Sequence, residues 1–550
     1  MTTSQEKVVG QLADVHQGKI YPAEVVFENG IIIQINPVAE APDQWIVPGF
    51  VDAHVHIESS MLAPARFAPL ALAHGTIATV SDPHEIANVL GIEGVRWMYK
   101  NGKNAPLHFH FGAPSCVPAT IFESAGAEVT LSDIEDLFTE GTCHYLAEMM
   151  NWPGVIFHDP GVQAKLDLSK KMGKPIDGHA PGLMGEQAKA YFAKGIETDH
   201  ECFTLEEARG KAALGVKILI REGSAARNFE ALIPLIGEYP EQIMFCSDDK
   251  HPDDLLLGHI NLLVKRALKK GYDLFDVLRA ATINPMNHYK LPCGQLRVGD
   301  AADFVVLNSL ENIDISEVYR HGKKVVAEGK TLWQPEINSE TPNHFSPHYP
   351  PETAYAVHSK SVGSTEVRVI EAIEGQLITR EIRQHLQVEA GLIKAAPDLD
   401  VLKITVVNRY VDAPPAVAFI SGFGLKNAAI ASSVAHDSHN VVAVGSSDAL
   451  LKRAVDVIME AGGGICVVHD NGTEILPLPI AGLMSNQDGA WVGTQYERLT
   501  KIANAFHSKP KAPFMLLSFM ALLVIPALKL SDKGLFNGVD FSFVDMETGG

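Results

Sequence analysis

The chain has 550 residues, 46% of them apolar, and a formal charge of −21. That length exceeds what one hydrophobic core organises, so two or three domains are expected. The acidic balance excludes nucleic acid as a natural partner, because proteins that read phosphate backbones present a basic face, and it points to small molecules instead.

The opening stretch "MTTSQEKVVGQLADVHQGKI" has no apolar h-region and no cleavage pattern, so it does not read as a signal peptide. Cys116, Cys143, Cys202, Cys246, Cys293 and Cys466 are scattered without CxxC spacing. Neither a disulfide framework nor a thiolate zinc knuckle is expected, which suits a cytoplasmic location. Residues 1–47 read as short strands with turn chemistry at Asn29-Gly30. A similar strand-rich stretch returns at residues 294–340. The two pieces predict one small β-domain made from both sides of an inserted barrel.

The middle, residues 48–293, carries eight short apolar runs that end in polar residues and are separated by helix-like segments. In order they are "FVDAHVH", "TIATVSDPHE", "LHFHFGAPS", "HYLAEMM", "PIDGHAPG", "GIETDHE", "VKILIREGS" and "IMFCSDDKHP". Eight strand–helix units predict an α/β fold of the (β/α)8 TIM type, with chemistry at the C-terminal ends of the strands. The Pro-rich stretch "TPNHFSPHYP" reads as a linker, and residues 351–550 as a C-terminal mixed α/β domain. Within it, Ala512 to Leu528 is uncharged and approaches the length of a membrane span. Pro513 and Pro526 bracket that run, so a buried core segment is expected and no membrane partner.

In "VDAHVHIESS", His54 and His56 stand at i and i+2, which on a strand puts both imidazoles on one face. Taken alone, such a pair is more often a hydrogen-bonded core feature than a metal site. Glu148, His179, His200 and Asp248 change the reading, because they close the fourth, fifth, sixth and eighth runs. Four histidines and two carboxylates at one barrel mouth exceed the needs of a single tetrahedral ion. Two divalent ions fit better, with Glu148 bridging, His54, His56 and Asp248 on one ion, and His179 and His200 on the other.

The pattern "PGFVDAHVH" followed by those ligands resembles the amidohydrolase superfamily. The strings "HVHIESSML", "SDPHEIANV", "DGHAPG", "TDHECFT", "CSDDKHPDDL" and "SSVAHDSHNVVAVG" resemble, more narrowly, the adenine deaminase family. That resemblance implies hydrolysis of adenine to hypoxanthine and ammonia, as in purine salvage, at a dinuclear manganese or iron centre, with zinc as a third option. A homo-oligomer is also expected.

In this scheme a hydroxide bridging the two metals would attack C6 of adenine, and protons must reach the ring and the leaving amine. Asp248 is the expected proton shuttle, and Glu85 or His84 the expected ring proton donor. Ser59, Arg221, Ser224 and Asp249 are candidate substrate contacts, although a continuing strand pleat would turn Asp249 away from Asp248. The dense "HDSH" at His436 to His439 reads more as a structural hydrogen-bond network than as a cover over the active site. Rival readings are another amidohydrolase, such as a cyclic-amide hydrolase or an N-acetyl deacetylase, and a catalytically dead metal-binding scaffold. Glu148 weakens the cyclic-amidase option, whose members often carry a carboxylated lysine after the fourth strand.

Overall fold

In the computed structural model, which describes residues 5–224, 226–336 and 339–548, the first sheet is completed only when the chain returns from the barrel. Its eight strands run in the order Lys330–Thr331, Lys323–Ala327, Asp314–Arg320, Phe304–Ser309, Trp45–Pro48, Glu6–Asp14, Lys19–Glu28 and Ile31–Pro37. Phe304–Ser309 pairs antiparallel with Trp45–Pro48, which joins the two pieces. Asn29 and Gly30 both take left-handed backbone, at φ 52° and 81°, as a tight hairpin turn requires. A Cβ on Gly30 would also lie 2.7 Å from the carbonyl oxygen of His321, so glycine is needed there twice over.

The eight apolar runs become eight parallel strands: β1 (Phe50–Val55), β2 (Thr76–Ser81), β3 (His108–Ala113), β4 (Tyr145–Met149), β5 (Ile176–Gly178), β6 (Thr198–Asp199), β7 (Lys217–Arg221) and β8 (Ile243–Cys246). Strands β1 to β5 form one ladder and β6 to β8 another. At one seam the Glu197 N–H donates to the Ile176 carbonyl (2.9 Å). At the other, the Asp248 N–H donates to the His54 carbonyl (2.9 Å) and the His56 N–H donates to the Asp248 carbonyl (3.2 Å). The barrel therefore closes through the residues expected to bind metal. All residues of β1 and β2 are buried, as parallel strands covered on both faces should be.

The C-terminal part is built on a ten-stranded sheet that includes Leu402–Val407, Val441–Gly445 and Gly464–His469. Ser447 caps the helix Asp448–Ala461 by accepting from the Leu450 N–H, and Gly462 ends it in left-handed backbone. Residues 341–350 have no regular structure, yet they are pinned along this domain: Pro342 accepts from the Ala481 N–H (2.7 Å) and the Ser346 N–H donates to Arg409 (2.8 Å).

The apolar run from Ala512 folds into a short buried helix, Pro513–Ser518, and a 3-10 turn, Phe519–Ala521. Among the described residues no helix is long and apolar enough to cross a membrane. One apolar core runs unbroken from Leu62 and Phe67 of the barrel to Met484, Phe514 and Leu517. The Ser485 N–H donates to the Met61 carbonyl across that junction (2.8 Å). This continuity seats the C-terminal part firmly on the barrel mouth.

Candidate active site

Alternation along β1 turns His54 and His56 to the same side, and the strand ends bring the other expected ligands to meet them. Glu148, at the end of β4, is the hub. One of its oxygens lies 3.5 Å from His56 Nε2 and 3.5 Å from His84 Nδ1; the other lies 2.7 Å from His179 Nδ1 and 3.1 Å from His200 Nε2. Asp248 Oδ1 lies 3.2 Å from His56 Nε2 and 3.7 Å from His54 Nε2. All six expected ligands therefore converge. Two further residues join them: Asp82 and His84 cluster with His56 and Glu148 within metal-ligand reach of one another.

Glu201, which the reading of the sequence passed over, completes the other side. It lies 3.4 Å from His200 Nε2 and 3.7 Å from His179 Nδ1, and it is paired with Arg221. Arg221 is buried and also donates to Asp248 Oδ2 (2.6 Å). Its guanidinium holds two carboxylates, and the residue also lines the cavity, so it keeps its place among the candidate substrate contacts. Beneath them, buried Asp52 accepts from the Ser247 N–H (3.0 Å) and lies 2.7 Å from His259 Nε2, which locks β1 to the end of β8.

Asp249 does not turn away. Asp248 takes left-handed backbone, φ 56°, so the strand pleat ends there and both aspartates reach the cavity. Ser59 stands behind Asp249, donating to its Oδ1 (2.5 Å), and does not line the cavity itself. Ser224 is not brought in either: its N–H donates to the Asp249 carbonyl (2.8 Å) and its hydroxyl accepts from the His251 N–H (2.9 Å). Of the other residues that follow β1, Glu58 accepts from the Ile86 N–H (3.2 Å) and Ser60 donates to the Ile57 carbonyl (2.6 Å). Both act as supports.

The segment at His436 corrects its sequence-based expectation. His436 and Asp437 line the cavity, so this part of the C-terminal domain covers the site as well as forming a network. Glu85, from the barrel, sits between two histidines of the C-terminal domain, with one oxygen 2.6 Å from His436 Nδ1 and the other bonded to His439 Nε2. The Ala435 N–H donates to His439 Nδ1 (3.2 Å), so His439 Nε2 carries a hydrogen and donates it to Glu85. The rest of the cover is apolar: Leu377, Phe519, Leu522, Val524 and Ile525. The cavity is tight, about 40 Å³.

Burial opposes charge on these groups, and their neighbours restore it. Glu148 is held well below the usual carboxylate range because His179 and His200 outweigh its burial. Asp248 is held down likewise, by Arg221 and His56. Burial pushes Asp249 up, and the neighbouring Asp248 adds to the effect. Burial holds the His54 imidazole well below its ordinary value, reinforced by His200 and His56.

These residues fit a bound metal. Both ring nitrogens of His54 are buried without a hydrogen-bond partner. Such orphaned atoms are costly unless a cation takes their lone pairs. Imidazoles with carboxylates suit zinc, manganese or iron(II).

Residues 45–332 match the amidohydrolase family, and residues 376–542 match the adenine deaminase C-terminal domain. An adenine deaminase of Salinibacter ruber is 52% identical over 98% of this chain and 98% of its own. The chain belongs to the adenine deaminase family. A second adenine deaminase, from a Sulfurovum species, is 53% identical over 97% of this chain and 98% of its own. Among solved structures, the β-aspartyl dipeptidase of Fervidobacterium islandicum covers 61% of this chain and 100% of its own, at TM-score 0.45 and 15% identity. Adenine deaminase membership accounts for both matched regions at once, and the divalent metal centre of amidohydrolases agrees with the ligand cluster.

Proposed function

We propose that this protein hydrolyses adenine to hypoxanthine and ammonia at a dinuclear metal centre in the barrel mouth. The observation that carries the reading is Glu148, whose two oxygens each face two imidazoles. In this reading His54, His56 and Asp248 hold one ion, His179 and His200 the other, and Glu148 both. Asp82 and His84 lie close enough to join the shell at His56, and Glu201 the shell at His179 and His200. Manganese or iron(II) is favoured, with zinc as the third candidate. Bound there, the ions would supply hydroxide at neutral pH by lowering the pKa of water from about 15.7 towards 7.

The protein's own groups then handle the protons. The reaction forms a C6–O bond and breaks the C6–N bond, with one proton needed on the ring and one on the departing amine. Asp248, whose Oδ2 accepts from Arg221, stands beside the proposed ions and is the group to pass a proton from water to the departing amine. Glu85, facing His436 and His439, is the group to pass a proton to the ring. Asp249 and Asp437 are the remaining polar contacts for the base edge. The corresponding architecture is a β-domain of residues 1–47 and 294–340, a catalytic barrel of 48–293 and a deaminase-specific domain of 351–550.

The test is ammonia release from adenine, adenosine, guanine and cytosine, with metal analysis of the same sample. Rapid release from adenine alone, with metal bound, is expected. Ring opening of a dihydropyrimidine in place of adenine turnover would overturn the reading in favour of a cyclic-amide hydrolase. Less than one metal per chain with no turnover of any base would favour an inert scaffold.

A further inference from the structure

Lys529, on the strand Leu528–Ser531, is wholly buried. Its ammonium nitrogen donates to two backbone carbonyls, those of Leu377 (2.7 Å) and Phe519 (2.8 Å). Burial alone pulls its pKa down to about 7. A methionine would fill similar volume without the cost of burying an ionisable group, so what lysine adds at this position is its N–H donors. Even the neutral amine keeps two of them, enough for both carbonyls.

Both carbonyls belong to residues whose side chains line the cavity. Thr379 secures the same stretch, donating to the Leu528 carbonyl (2.7 Å) and accepting from the Leu528 N–H (3.1 Å). The Phe519 ring stacks on His436 at 4.8 Å with planes 14° apart, and the Ser518 carbonyl accepts from the His436 N–H (3.1 Å). The segment that Lys529 holds is therefore the dry side of the site. Leu377, Phe519, Leu522 and Ile525 present no side-chain donor or acceptor, which suits the face of a flat heteroaromatic ring and leaves its polar edge to the acidic side.

We propose that Phe519 and its apolar neighbours form the platform on which the purine ring lies, and that Lys529 is the positioning residue that fixes this platform. The proposal rests on adenine being the substrate. Displacing this wall should register in binding, because the apolar side chains that would face the ring move with the backbone that Lys529 holds. Turnover should be less affected, because His439 still holds one oxygen of Glu85.

The test is Lys529→Met in the full-length, metal-loaded protein. Expected are a rise of about tenfold in KM for adenine, kcat within threefold of wild type, unchanged metal content, and amide hydrogen exchange over residues 519–525 at least tenfold faster. A lowered Tm with unchanged KM and unchanged exchange would reduce Lys529 to simple packing and overturn the proposal. If Lys529→Met does not fold, Phe519→Leu tests the platform directly; an unchanged KM would overturn it. Wild-type protein inert towards adenine would instead overturn the functional reading, while the exchange rates would still decide whether Lys529 tethers the wall.

Discussion

Apart from Met150, the barrel side of the cavity is made of carboxylates, imidazoles and a guanidinium held by one another, whereas five of the seven residues from the C-terminal side are apolar. The difference divides the labour between them. Hydrolysis needs preorganised charge, and strand ends of a barrel can aim many polar groups at one point from a rigid frame. A flat base needs a dry surface, and a second domain docked over the mouth can supply it while excluding water. Glu85 is where the two sides meet, a barrel acid gripped by two histidines of the other domain.

The comparison is tested most severely at Asp248. Asp248→Asn is expected to lower kcat by about 10²–10⁴-fold, because in the proposed mechanism it removes both a ligand and a proton shuttle; stopped-time ammonia assays on metal-analysed protein check this. Wild-type kcat in that variant would remove Asp248 from the chemistry. Glu85→Gln should lower kcat by about 100-fold with metal content intact and KM within threefold. Unchanged kinetics would mean that Glu85 only ties the domains together.

Smaller effects belong to residues behind the cavity. Ser224→Ala is expected to leave kcat/KM within about twofold, since its backbone N–H, not its hydroxyl, holds Asp249, and surface-distant losses of one neutral hydrogen bond cost little. A tenfold loss would return Ser224 to the substrate contacts. A different readout is the slope of stability with pH. Lys529 has a folded pKa of about 7 against an ordinary 10.5. Between those values the unfolded chain binds a proton that the folded chain does not, so this residue lowers stability as pH falls from about 10.5 to about 7. Subtracting the denaturation profile of Lys529→Met from that of wild type should reveal stability rising with pH across that window. A flat difference would contradict the buried, uncharged state.

The sequence made the barrel side legible for a physical reason. His54, His56, Glu148, His179, His200 and Asp248 each sit at or just beyond a strand end, where period and strand order suffice to predict convergence. Glu201 was hidden because it follows His200 directly, and alternation would send neighbours to opposite sides. Strand β6 ends at Asp199, so alternation no longer governs there. Asp249 was obscured similarly by the left-handed turn at Asp248. The cover was least legible: Glu85 and His436 stand 351 positions apart, and only the docking of two domains brings them together. Phe519 lay inside a run that local hydrophobicity could identify only as buried.

Adenine hydrolysis should depend on the ions proposed for the cluster around Glu148. The most direct measurement is to strip the protein with a chelator and follow ammonia release from adenine as manganese is added back in known equivalents. Negligible activity is expected in the stripped protein, rising to a plateau at two equivalents per chain. Full activity in the stripped protein would contradict it.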